Sequence, residues 1–407
     1  MNSHNSFILA SALCGLLWLP ADCCYGQTWV PSTNAPSAVW GAVASSGDGT
    51  KLVTAINGGG IYTSTDSGLN WHSNNVPALR WYSVASSSDG TILIAGIDAL
   101  SVSGTNAGIW VSTNSGANWV QTQARTYLFQ WYSVACSTNG TKIVAAGAYG
   151  ATNFVYTSSD SGNTWTPTSV PNVGNPAVGY SVASSGDGTK LFVAAFEANA
   201  VYTSTNSGGS WSSNYIADNY LSAIASSLDG SKLVLASLGQ GANGTVYTST
   251  NSGASWTSNN VPVQGWNSVA SSWDGTKIIA AGYGLNDSAI YSSIDSGKIW
   301  VSNNLPDTIA WASVASSSDG NKLVAVGKTG QVYTGFQTPP LLNSSILGTN
   351  LSVTWSSPEG QFQLQQNSSL KSTNWTPVSN SVSFTNGLSQ VMITISNSQN
   401  FYRLASQ

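Results

Sequence analysis

Residues 81–86 alternate between apolar and polar side chains, the period of a strand with one buried face. Ser88, Asp89 and Gly90 then make a tight turn, and residues 91–95 return as a second strand. After a loop, residues 108–112 read as a third strand, Asn114, Ser115 and Gly116 turn the chain, and a fourth strand begins at Trp119. The succession repeats. The string Ser-x-Asp/Asn-Ser-Gly-x-x-Trp starts at Ser64, Ser112, Ser158, Ser204, Ser249 and Ser293. The aliphatic centre of the first strand recurs at Val43, Val84, Val134, Val182, Ile224, Val269 and Val314. Units of roughly 40 to 50 residues holding four antiparallel strands are propeller blades. The expected fold is all-β: a seven-bladed β-propeller followed by a small β-sandwich.

The ends of the repeat carry their own signal. Trp29 precedes Trp40 by eleven positions, as Trp71 precedes Trp81 by ten, so the chain enters on a fourth strand. It leaves on a third strand, 331–334, with no turn string after it. The first strand should therefore complete the last blade and leave no open edge. Upstream, residues 1–26 hold an apolar run from Phe7 to Leu19, short for a bilayer and followed by small residues, which reads as a signal peptide. The expected divisions are 1–26 leader, 27–336 propeller, 337–340 linker (Gln-Thr-Pro-Pro) and 341–407 sandwich, with strands at 351–355, 362–365, 391–395 and 401–404. This makes the protein secreted, extracellular or on the cell surface, with no later transmembrane segment. Removing the leader leaves Cys136 alone, so no disulfide forms within the chain. Cys136 stands where other units have Ser and reads as buried and inert.

Composition narrows the function. Charged residues are 7% of the chain against 41% hydrophobic, with 17 Trp and a formal net charge of -4. That is a packed, nearly uncharged protein without the basic footprint of a nucleic-acid binder. Its ligands should be neutral, recognised by hydrogen bonding and stacking. His4 and His72 are the two histidines, so neither a His-based triad nor a His-ligated zinc site is available, and no metal or cofactor is expected. Most acids belong to the repeated turns; the rest of the propeller's are Asp98, Glu197, Asp218, Asp287 and Asp307. Glu197 and Asp218 fall in loops of one unit and are the pair that an acid–base mechanism would use.

Alternating strand direction puts both kinds of turn on one face and the variable loops, such as 97–107, 122–130 and 283–288, on the other. Variable loops on a rigid ring are the natural binding surface. Trp40, Trp81, Trp131, Trp266 and Trp311 begin five inner strands near the channel mouth of that face; Gly179 and Leu221, flanked by Tyr180 and Tyr220, begin the other two. Exposed, these rings stack on sugar or peptide; buried, they wedge blades together. In the turn string the acidic position is Asp66, Asp160 and Asp295 but Asn114, Asn206 and Asn251, so it hydrogen-bonds a turn and serves neither catalysis nor metal.

These strings resemble the Asp-box (BNR) repeats of sialidase-type propellers over about 28–334. Their longer phrase, Trp-x-x-Val followed by Gly-x-Val-Tyr-x-Ser-x-Asn-Ser-Gly-x-x-Trp, is similar to the seven-bladed repeats of photosystem II assembly factors. The resemblance implies the fold. Sialidases use three arginines with a tyrosine nucleophile, and this chain has only Arg80, Arg125 and Arg403, the last outside the propeller. The arginine-rich patch of the assembly factors is missing too. The C-terminal pattern resembles modules on secreted bacterial proteins, implying an accessory role. The sequence thus reads as a secreted, monomeric, non-catalytic binding or adhesion propeller for glycan or extracellular polymer. The alternatives are a glycoside hydrolase or lyase using Glu197 and Asp218, and a scaffold that holds a protein partner.

Overall fold

The computed structural model describes residues 27–98, 108–124, 130–149, 152–170, 180–196, 198–218, 220–239, 243–262, 264–283, 288–303, 305–328, 330–337, 342–356, 362–368, 374–385, 388–394 and 400–406. The expected leader, 1–26, lies outside them, as do Arg125, Glu197 and Asp287. The chain divides into compact units at Phe336/Gln337. No helix among the described residues is long and apolar enough to cross a membrane.

Between Thr28 and Phe336 the strands come in antiparallel fours. One is Gln130–Cys136, Ile143–Tyr149, Thr152–Ser158 and Thr166–Pro167, paired in chain order. The described residues of this unit form five four-stranded sheets and one eight-stranded sheet, the latter two fours joined where Asn57 pairs with Arg80 and Gly59 with Leu79. Inner strands touch their successors in order, and the last, Trp311–Ser316, touches the first, Trp40–Ser45. The sheets form a closed ring. Its last sheet runs Trp311–Ser316, Lys322–Gly327, Val332–Gln337 and then Gln27–Pro31, so the start of the chain supplies the outer strand. Ser32 N–H donates to the Val332 carbonyl at 2.8 Å.

Burial explains the ring. The second strands Leu93–Ile97, Leu191–Ala195 and Leu233–Ser237 are buried at every position, because each is covered on both sides by a neighbouring sheet. Trp81 shares one core with Val53, Ala55 and Ile61 of the preceding four, and it seals that seam.

Three repeated devices join the fours. Gly47, Ser88, Thr138, Gly186, Leu228 and Trp273 each donate a backbone N–H to the next of the series, Trp273 to Ser318, and Ser318 back to Gly47, all at 2.7–2.8 Å. That is a closed circle of hydrogen bonds around the axis. At mid-strand, serine hydroxyls accept N–H groups from the following inner strand, as Ser83 does from Val134 and Ser133 from Val182, both at 3.0 Å. Finally, a lysine behind each turn reaches the next turn: Lys51 Nζ donates to the Asp89 carbonyl at 2.8 Å and Lys190 to that of Asp229 at 2.9 Å. Its charge also lies beside the next turn's carboxylate, pairing Lys51 with Asp89, Lys142 with Asp187, Lys190 with Asp229, Lys232 with Asp274, Lys277 with Asp319 and Lys322 with Asp48. At the seventh seam Ile92 stands for the lysine, against the turn that has Asn139 for the aspartate. Both charges are absent together.

The C-terminal unit has one sheet of Asn343–Leu347, Asn350–Ser356, Leu388–Thr394 and Val382–Thr385, and another of Thr376–Pro377, Phe362–Asn367 and Phe401–Ser406. Val353, Trp355 and Val391 of the first share a core with Leu364 and Tyr402 of the second. Arg403 is structural there: its Nε donates to Gln365 at 2.9 Å and its guanidinium lies 4.5 Å from the Trp375 ring centre.

Candidate binding face

The turn strings settle first, because they set which face is free. Ser64 Oγ donates to Asp66 Oδ1 at 2.8 Å and accepts the Gly68 N–H at 2.9 Å, while Asp66 Oδ1 also accepts the Asn70 N–H at 2.9 Å. Asn114 does the same with one amide oxygen, accepting from Ser112 Oγ at 3.0 Å and Asn118 N–H at 2.8 Å. Asp160, Asn206, Asn251 and Asp295 repeat the geometry. A single acceptor is enough, which is why the two residue types interchange. The glycine is in the left-handed region as expected, but so is the serine before it, from Ser67 (φ 61) to Ser296 (φ 61), so the turn has two consecutive left-handed residues. These turns share a face with the Asp-Gly turns, since Ser67 N–H donates to the Thr50 carbonyl at 2.8 Å and Ser115 N–H to that of Thr91 at 2.9 Å.

The five inner-strand tryptophans are wedges. Trp40 is 1% exposed and Trp81, Trp131, Trp266 and Trp311 are 0% exposed, so none offers a ring face to a ligand. The sheets on either side enclose them, correcting the expectation of stacking platforms. Tyr220 is half-buried at φ 64, its ring edge-on to Phe196 with centres 5.1 Å apart. Tyr180 pairs regularly with Ala195; its side chain lies outside the described residues. Of the acid pair, Glu197 lies outside them as well. Asp218 accepts hydrogen bonds from Ser237 Oγ and, at 3.4 Å, from the Tyr247 hydroxyl, which ties the connection it sits in to the following sheet.

The open aromatic groups are one residue further on. Directly after Trp81 and Trp131 the pairing register shifts, so Tyr82 and Tyr132 occupy bulges. A bulge swings its side chain out of the alternation. Tyr82 is 46% exposed and meets Tyr132 of the next inner strand edge-to-face, centres 5.6 Å apart. Beside them Arg80 pairs with Asp98 at 3.4 Å; the arginine side chain is half exposed and the carboxylate buried. Asp98 also bridges to Gln130, whose side-chain oxygen accepts the Tyr132 hydroxyl proton. Burial first, then the neighbouring Tyr82 and Asp98, push the Tyr132 phenol up to about 12; burial and Asp98 also raise Tyr82, against the pull of Arg80. Both tyrosines therefore stay protonated donors at neutral pH. At the equivalent bulges elsewhere stand Ser222, Asn267, Ala312 and Gly41. Ser222 Oγ and Asn267 Nδ2 donate to the next strand's Trp266 and Trp311 carbonyls at 2.5 and 3.1 Å. The mouth is thus asymmetric, with aromatic residues on one arc and small ones on the other.

Solved structures of similar fold include YCF48 bound to D1 peptide, 14% identical with a TM-score of 0.56 over 79% of this chain and 99% of that one. The GH74 enzyme of Niastella koreensis is 16% identical with a TM-score of 0.59, and the GH74 xyloglucanase from Xanthomonas campestris 15% identical with a TM-score of 0.58. Each match covers 81% of this chain and 59% of the GH74 enzyme. This chain is an all-β propeller. No protein-family model and no curated protein matches it. At these identities the likeness shows the fold and leaves the activity open.

Proposed function

We propose that this protein is a secreted, seven-bladed propeller built on Asp-box turns that binds a neutral glycan or extracellular polymer at its loop-face mouth without transforming it. The observation that carries this reading is the Tyr82–Tyr132 pair beside Arg80 and Asp98. A half-exposed aromatic edge next to a planar donor–acceptor pair suits sugar rings, which present apolar C–H faces and hydroxyls together. Absence of a strong field fits a neutral ligand: Arg80 is balanced by Asp98, and the lysines of the turn face each sit beside a carboxylate except at the Ile92–Asn139 seam, where both are missing. Asp218, hydrogen-bonded to Ser237 of the following sheet, serves as a brace, which weighs against its acting with Glu197 as acid and base. A protein partner is the second reading, favoured by the peptide held by the structurally similar YCF48.

The test is a panel of neutral polysaccharides and peptides on the mature chain, 27–407, scoring binding and product release in the same samples. The proposal expects polysaccharide binding without products, lost in Tyr82→Ala/Tyr132→Ala. Products that vanish in Glu197→Gln would replace it with the hydrolase reading, and binding confined to peptides would replace it with the protein-partner reading.

A further inference from the structure

The circle of backbone hydrogen bonds through Gly47, Trp273 and Ser318 is also the rim of a well on the turn face, opposite the mouth. Seven strand ends about 4.8 Å apart fit on a circle roughly 11 Å across, so the rim is narrow, and its continuous bonding makes it rigid. The well has a volume of about 120 Å³.

Serine dominates its wall. Ser45, Ser86, Ser184, Ser226, Ser271 and Ser316 line it, and each hydroxyl donates its proton to the carbonyl of the following residue at 2.9–3.0 Å. A hydroxyl whose proton is committed keeps only lone pairs for its surroundings. The belt therefore offers acceptors to whatever fills the well, beside the hydroxyls of Ser88 and Ser318, which line it too. Cys136 takes the seventh place in the belt.

The rim adds an apolar edge. Trp273 is 38% exposed and Leu228 39%, neighbours on the circle. Trp273 is the one exposed tryptophan among the described residues. The circle makes room for both: a methyl group at Gly47 would lie 3.3 Å from the Trp273 indole, and one at Gly186 would collide with Leu228. Around the rim six lysines each lie beside the next turn's carboxylate, so the charges of the Asp-Gly turns cancel in pairs.

We infer that this axial well is a second binding site, taking a single neutral sugar ring or chain end. The sugar's hydroxyls donate to the serine belt while its C–H face rests on Trp273. An alkali or ammonium cation would find acceptors here but no compensating charge, and an apolar ligand would leave the serine lone pairs unpaired. The site is separate from the mouth, so it stands or falls apart from the function proposed above.

The probes are the methyl glycosides of glucose, galactose, mannose, xylose and N-acetylglucosamine, titrated calorimetrically into the mature chain. At least one is expected to bind, to bind Tyr82→Ala/Tyr132→Ala with unchanged affinity, and to bind Trp273→Ala about tenfold more weakly. The same glycoside should slow methylthiolation of Cys136 in the unaltered protein, a readout that needs no variant to fold. Failure of every glycoside to bind, or binding that ignores Trp273→Ala and leaves the Cys136 rate unchanged, would overturn the inference. Binding lost in the tyrosine variant alone would place the sugar at the mouth and also overturn it.

Discussion

The seam between the second and third fours offers a test of how the ring is held. Six seams join a lysine to the next turn's aspartate, and at the seventh Ile92 faces the turn of Asn139. Restoring both partners, Ile92→Lys with Asn139→Asp, should give a favourable coupling that neither substitution shows alone. The turn carboxylate at a normal seam is already occupied: Asp89 accepts from Ser87 Oγ at 2.6 Å and Thr91 N–H at 3.0 Å, while Lys51 Nζ binds the Asp89 main-chain carbonyl. The two charges therefore attract across solvent, and the coupling belongs at about 0.3–0.5 kcal/mol, within the range of exposed pairs. Ile92→Lys alone keeps an aliphatic stem on Gly140, as Lys51 does on Gly90, so it should change stability by no more than about 0.5 kcal/mol. The double-mutant cycle removes that change from the comparison. The assay is urea unfolding of the four proteins at low and at molar salt, where the screening length drops to about 3 Å. Zero coupling at low salt, or a coupling that molar salt leaves intact, would show that the two charges do not attract across the seam.

Trp81→Ala should cost about 3–5 kcal/mol by urea unfolding, since a fully buried indole between two sheets leaves a cavity. Trp29→Ala, which strips the ring lying on Gly335, should loosen the closing strand first, visible as fast amide exchange confined to 27–31 and 332–336. Asp89, Asp187 and Asp229 are held at about 2 by hydrogen bonds from the preceding serine and from the turn, below the ordinary 3.8. Their contribution is present above 3.8 and is lost as the pH falls toward 2, so the urea midpoint should decline through that window, and less steeply in Asp89→Asn. Burial pushes the Cys136 thiol up to about 12, so it should react with aromatic disulfides slowly at neutral pH and at an ordinary rate once urea unfolds the chain.

The ring itself was legible because its signals are local and repeated. Alternation, Asp-Gly turns and the Ser-x-Asp/Asn-Ser-Gly string each mark one strand or one turn, and Trp29 announced the closing strand by its spacing from Trp40. The mouth was not legible for a specific reason. Alternation treats residues 81–86 as one regular strand, which makes Trp81 the conspicuous ring and Tyr82 its neighbour on the other face. The register shift after Trp81 is a pairing event between strands, so nothing local to the sequence reports it. Arg80 was counted only as an argument against sialidase chemistry, although it meets Asp98 across a strand pair. The serine belt also hid in plain repetition: Ser45, Ser86 and their equivalents looked like the polar half of an alternation until the circle brought them onto one axis. The Ile92–Asn139 exchange becomes a pair only through the packing of Ile92 against the next turn.

Oxidative footprinting of residues 27–407 with the polysaccharide that binds them best reads the mouth directly. Hydroxyl radicals label exposed tyrosines, and saturating polymer should protect Tyr82 and Tyr132 while the outer-strand Tyr215, 74% exposed, stays as reactive as before. Full reactivity at Tyr82 and Tyr132 with protection elsewhere on the propeller would contradict a binding site at the loop-face mouth.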